Sequence, residues 1–76
     1  MRQHMLVLDD DAVHLGILKR RIESTGHTVD TAETGWDGLI KLEQVDYDVV
    51  LLDDLMPGIT GLTVLRTSTR VIRQYQ

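Results

Sequence analysis

Two short apolar runs that each end abruptly in acid constrain this chain more than any other feature. His4 to Leu8 (HMLVL) leads into Asp9-Asp10-Asp11, and Tyr47 to Leu52 (YDVVLL) leads into Asp53-Asp54. Nearly continuous apolar runs of this length, without polar alternation, mark strands buried on both faces of a parallel sheet. Parallel neighbours cannot be joined by a hairpin and need crossover segments, which are usually helices. The intervening sequence supplies them. From Val13 to Ser24, Leu15, Leu18 and Ile22 form a helical stripe, Lys19, Arg20 and Arg21 fall late in the segment, and Gly26 provides a stop. Asp10 or Asp11 can cap the start of this helix. His27 to Ala32 (HTVDTA) is a short β-branched strand, Glu33-Thr34-Gly35 breaks it, and Trp36, Leu39, Ile40 and Glu43 trace a second helix to about Gln44.

After the second acidic run, MPGITG is punctuated by Pro57, Gly58 and Gly61 and reads as a loop. Leu62, Leu65, Thr69 and Ile72 keep helical spacing and predict a helix to the C-terminus. Thr67-Ser68-Thr69 and Val71-Ile72 are poor helix formers, however, and leave open a short helix to about Thr67 followed by an extended Thr69 to Gln74 segment. The alternation βαβαβα predicts an α/β fold, a three-layer parallel sheet with right-handed crossovers, as one domain over residues 1–76. In the simplest doubly wound arrangement the strand order is 2-1-3, and the first and third strands present their carboxyl ends at the topological switch point. Both acid clusters sit there.

Composition narrows the classes further. With 76 residues there is room for one core, and a chain of this size buries roughly 60% of its unfolded surface. No Cys is present, so no disulfide reinforces that core, and the cytoplasm is the expected compartment. The N-terminus reaches Asp9 after a short apolar run, and no stretch is long enough to span a membrane. A net charge of -4 argues against direct nucleic-acid binding. The basic tail bearing Arg66, Arg70 and Arg73 is read as a solvated helix face.

Carboxylates from two strand ends in one crevice repel one another strongly and require a cation. An oxygen-rich site suits Mg²⁺ or Mn²⁺, which take one or two carboxylates, keep several waters and accept a phosphate oxygen. His4, His14 and His27 show no ligand spacing and are expected to be structural or surface groups. Trp36 is expected to pack against the sheet, and Met56 beneath the site.

The segments LVLDDD (Leu6 to Asp11) and VVLLDDLMPGITG (Val49 to Gly61), with the Gly-containing turn between Thr31 and Leu39, resemble the receiver domains of two-component response regulators. The resemblance runs from about Met5 to Arg66 and implies a partial flavodoxin-like (βα)3 fold. It implies further that Asp53 is the phosphoacceptor, and that Asp9, Asp10, Asp53 and the main-chain carbonyl of Leu55 hold Mg²⁺ (or Mn²⁺). Pro57 and Gly61 match the family's loop. Asp54 departs from the pattern and, by strand alternation, is left out of the site. The implied partner is a histidine kinase or a small phosphodonor, and the implied activity is at most the chain's own aspartyl phosphorylation.

Family members continue through a Ser or Thr after a fourth strand and a Lys after a fifth, so the chain resembles a receiver truncated after its third βα unit; no lysine follows Lys41. Such a truncation is expected to leave the third strand as an open apolar edge, and hence a homodimer through that edge or by exchange of the C-terminal segment. Two alternatives accompany this reading. One is a receiver-like interaction and dimerisation module that transfers no phosphate. The other is a haloacid dehalogenase-type phosphatase, because LVLDDDAV is also similar to that family's Asp-x-Asp-x-Val strand end, with Asp9 as nucleophile and Asp11 as acid.

Overall fold

The computed structural model describes residues 2–53 and 70–74. The described elements are β1 (His4–Leu8), α1 (Ala12–Glu23), β2 (Thr28–Ala32), α2 (Gly35–Gln44), β3 (Val49–Asp53) and β4 (Arg70–Gln74). All strands pair in parallel in the order β2-β1-β3-β4. The expected order 2-1-3 is therefore present, with a further strand on its open side.

Strand alternation divides the apolar side chains between two layers. Leu6, Leu8, Ala32, Tyr47, Val50 and Leu52 form one buried cluster against Leu39, Leu42 and Val45, so α2 covers this face. Val7, Leu15 and Val29 form the other, with Met5, Leu18, Ile22 and Leu51 packed against it, so α1 covers the opposite face. Leu6, Val7 and Leu8 have no exposed surface, which explains why β1 lacks the polar alternation of a half-exposed strand.

Both helices begin at side-chain caps. The Asp11 carboxylate accepts from the backbone N–H groups of Val13 and His14, and the Thr34 hydroxyl accepts from Asp37. After α1, Gly26 adopts φ +94°, a value that an L side chain resists, and turns the chain into β2. Gly38 answers a different need. A Cβ built on it would lie 2.2 Å from Leu8 Cδ2, so only a glycine lets α2 lie this close to the sheet.

Three expectations are corrected. The third strand is not an open edge: β4 pairs along it from Val49↔Arg70 to Asp53↔Gln74, and the Arg70 N–H extends the ladder to the Asp48 carbonyl at 3.0 Å. Association through a bare third-strand edge is thus blocked by the chain's own residues. The helix expected to reach the C-terminus gives way, over Arg70–Gln74, to the extended alternative. The β-branched pair Val71-Ile72 fits a strand better than a helix, and pairing with Val50 and Leu51 supplies the tertiary reason. Trp36, expected against the sheet, is 75% exposed: the buried face of α2 is formed by Gly35, Gly38, Leu39 and Leu42.

Candidate functional site

The site is set by the register of β1 against β3. Leu8 pairs with Leu52, so Asp9 and Asp53, each one residue further on, stand side by side at the carboxyl end of the strand pair. From β1 the chain winds outward to β2 on one side, while β3 has β4 on the other. This is the switch-point crevice in which open α/β sheets bind ligands.

Asp9 is the buried acid of the site, with no exposed surface. Its backbone N–H donates to the Ala32 carbonyl at 3.1 Å and so prolongs the β1–β2 ladder. Its Oδ1 accepts the Asp11 N–H at 3.0 Å, and its Oδ2 meets Nδ1 of His14. A buried carboxylate costs several kcal/mol unless hydrogen bonds compensate it, and these contacts contribute to that compensation. Asp10, next in the chain, is exposed. Asp11 is exposed as well and is engaged as the α1 cap, with Oδ1 3.0 Å from Val13 N and 3.2 Å from His14 N. The three consecutive acids therefore have three separate placements.

Sequence reasoning missed the role of His14. It is the third residue of α1, and its 32% exposed side chain reaches back over the strand end to Asp9. The spacing Asp-x4-His across a strand-to-helix turn is the signal that could have found it, since the first helical turn sits directly above the preceding strand end. A second polar group missed at the sequence level lies apart from the crevice. Asp30 Oδ2 accepts from Tyr47 Oη at 2.6 Å and lies 3.1 Å from His4 Nε2, while the His4 and Tyr47 rings meet edge to face with centroids 4.7 Å apart. Here the Asp30 carboxyl is held below its ordinary value, chiefly by the Tyr47 hydrogen bond, and burial pushes the Tyr47 phenol above its own. Lys41 donates to the Thr31 carbonyl at 2.5 Å and to Asp37 Oδ2 at 3.3 Å.

Leu55, Pro57 and Gly61 lie outside the described residues, and Asp53 is located by its backbone as the last residue of β3. Among the described residues no three His, Cys, Asp or Glu side chains converge as a ligand set. The resemblance implies Asp53 and the Leu55 carbonyl as the remaining members of the set. Its donors are carboxylate and carbonyl oxygens beside a buried anion, which is the chemistry a hard divalent cation requires.

Comparison with known proteins agrees with the fold. Residues 5–74 match the response regulator receiver domain, and the chain belongs to that family. The match reaches β4, beyond the Arg66 limit expected from sequence. The chain is 38% identical over 66 residues to Protein PilH of Pseudomonas aeruginosa, covering 87% of this chain and 54% of that protein. It is 32% identical over 72 residues to Histidine kinase 5 of Arabidopsis thaliana, covering 95% of this chain and 7% of the other. Among solved structures, the response regulator TrrA of Thermotoga maritima, in complex with Mg²⁺-BeF, matches with a TM-score of 0.71 and 42% identity over 79% of this chain and 52% of its own. The chain thus spans about half the length of PilH and TrrA, and a small part of the kinase. No helix among the described residues is long and apolar enough to cross a membrane.

Proposed function

We propose that this receiver domain binds Mg²⁺ at Asp9, Asp10, Asp53 and the Leu55 carbonyl, and accepts a phosphoryl group on Asp53 from a histidine kinase or a small phosphodonor in the cytoplasm. The observation that supports the reading is the β1–β3 register, in which Asp9, fully buried, and Asp53 each follow the paired residues Leu8 and Leu52. A bound Mg²⁺ would neutralise phosphoryl oxygens, leaving the chain itself little to do beyond positioning. An Asp53 carboxylate oxygen attacks phosphorus, the new O–P bond forms as the donor's N–P or O–P bond breaks, and the donor leaves with the electron pair. Asp9 is held for its part by the Asp11 N–H and His14, both on the segment that opens α1. The likeness to TrrA, a regulator captured with Mg²⁺-BeF, supports this assignment.

The test is an acyl-phosphate assay. Incubation with Mg²⁺ and a small phosphodonor is expected to add one phosphoryl group by intact mass, and Asp53→Asn to abolish it. A wild-type chain that gains no mass while binding Mg²⁺ would overturn the phosphotransfer reading and favour the non-phosphorylatable interaction module. The phosphatase alternative uses Asp11 as acid; its carboxylate here caps α1.

A further inference from the structure

Each helix carries a second apolar stripe that the sheet does not use. The inward face of α1 is formed by Leu15, Leu18 and Ile22, yet Val13 and Ile17 stand about one helical turn apart on its outer side, exposed. On α2 the inward face is Gly35, Gly38, Leu39 and Leu42, while Trp36 and Ile40 repeat the same spacing outside. Residues four apart are neighbours on a helix surface, so each pair forms one continuous apolar patch. Single exposed apolar side chains are ordinary on a protein surface. A Trp 75% exposed and a Val 73% exposed, each backed by an isoleucine, instead make patches of the kind that bind a partner.

The charges beside the two patches are opposite in sign. Past Ile17, α1 carries exposed Lys19, Arg20 and Arg21 against a single acid, Glu23. The α2 segment carries Glu33, Asp37 and Glu43, and the amine of Lys41, its one cation, is directed to the Thr31 carbonyl and Asp37. We infer that α1 of one copy of this chain docks its Val13 and Ile17 patch on the Trp36 and Ile40 patch of α2 of a second copy, with Arg20 and Arg21 meeting the acids of that segment. An acid is in place for either direction of approach: Glu43, three residues past Ile40, when the helices run parallel, and Glu33, three residues before Trp36, when they run antiparallel. Trp and Arg are also the side chains that most often anchor protein interfaces.

Because α1 and α2 cover opposite faces of the sheet, the two patches of one copy point to opposite sides and do not meet the same neighbour. The contact is therefore head-to-tail and passes from copy to copy, in contrast to a two-fold dimer. Two short helix faces bury little area, which sets the association in the weak, transient class. The inference stands apart from the cation-site reading, since none of these side chains is assigned to that site.

The experiment is sedimentation equilibrium of the full chain from micromolar to millimolar concentration without added metal, with circular dichroism to check the fold of each variant. Two variants each remove one patch with neutral, helix-compatible side chains: Val13→Gln with Ile17→Gln, and Trp36→Gln with Ile40→Gln. Should either double variant lose the folded signal, the single change Val13→Gln or Trp36→Gln, at the most exposed position of its patch, takes its place. The wild type is expected to rise past the mass of two chains at the millimolar end, and each variant alone to remain at one. Mixed in equal amounts, the variants are expected to form a pair and stop there, because each pair holds one intact α1 patch and one intact α2 patch. A wild type that levels off at two chains, with one variant alone still pairing, means a two-fold contact and overturns the inference. So does a mixture that stays at the mass of one chain, or a wild type that remains monomeric at millimolar concentration.

Discussion

Tyr47 donates its phenolic hydroxyl to Asp30 Oδ2 at 2.6 Å, the same oxygen that His4 approaches at 3.1 Å. The contact joins the residue chain leading into β3 to the middle of β2, passing over the start of β1, so it ties together three strands whose apolar cores are already shared. Tyr47 is 3% exposed, and a phenol buried to that degree needs a partner for its hydroxyl.

Tyr47→Phe is expected to cost about 1 kcal/mol at neutral pH, a value at the low end for a bond to a charged acceptor because the Asp30 side chain is 42% exposed. The pH dependence separates the bond from packing. Burial raises the Tyr47 phenol above its ordinary 10.0, so its contribution is complete below pH 10 and is lost as pH rises through the folded value. Asp30 is lowered below its ordinary 3.8, so its contribution is complete above that value and is lost as pH falls through the folded one. Urea unfolding from pH 3 to 11 should show the wild type losing stability at both ends. Tyr47→Phe should flatten the alkaline decline fully and the acid decline in part, because His4 still lowers Asp30.

Gly38 and Leu8 offer a packing test. A methyl group on Gly38 would collide with the buried Leu8 side chain, at 2.2 Å from Cδ2. Overpacking of this kind costs about 1–3 kcal/mol, whereas Gly→Ala within a helix returns about 1 kcal/mol. Gly38→Ala should therefore destabilise by up to about 2 kcal/mol, read from the denaturant midpoint. In Leu8→Ala, which alone should cost about 2–5 kcal/mol, the same glycine change should become neutral or stabilising, because its methyl enters the space left by Leu8.

How much of this was legible in the sequence depended on where the deciding information lay. β1, both helices and β3 follow from local pattern: a continuous apolar run, a helical stripe and a glycine stop each act within a few residues of where they are read. The switch-point position of Asp9 and Asp53 follows from the same pattern, since topology alone brings the ends of β1 and β3 together. β4 was different. The spacing of Leu62, Leu65, Thr69 and Ile72 is as helical as that of α1, and what settles Arg70–Gln74 is pairing with β3, a partner seventeen or more residues away that local sequence cannot announce. Trp36 misled for a related reason. Its size suggests burial, but close approach of α2 depends on Gly38, and the buried face of that helix is set by its small residues. The His14–Asp9 contact was hidden because it spans a turn, where neither helical nor strand periodicity applies.

Asp11 and Asp9 separate capping from cation binding. Asp11→Ala removes the acceptor for the Val13 and His14 N–H groups and should cost about 1 kcal/mol, while Asp11→Asn should be nearly neutral because Asn caps as well as Asp. Mg²⁺ affinity, measured by calorimetry, should be largely kept in Asp11→Asn and lost in Asp9→Asn. Equal losses in the two variants would contradict the assignment of Asp11 as a cap. The metal-free stability of Asp9→Asn adds a second check: with no exposed surface at this position, exchange of the anion for an amide should change the unfolding midpoint even without a cation.

The last prediction concerns the edge that β4 covers. β3 is buried between β1 and β4, with Val49, Val50 and Leu52 all within 2% of full burial, and so has no polar alternation with which to face water. Deletion of residues 70–76 would expose its unpaired backbone groups along an apolar strand, the kind of edge that recruits another chain. The full chain is expected to associate less at micromolar concentration than the shortened one, as measured by sedimentation. Arg70→Pro is the milder variant: it removes only the N–H that bonds the Asp48 carbonyl at 3.0 Å and should loosen the start of β4 without stripping the edge. If the shortened chain sediments with the same mass as the full chain, β4 is not what shields the third strand. A graded response, with Arg70→Pro between the two, would show that the ladder itself sets the tendency to associate.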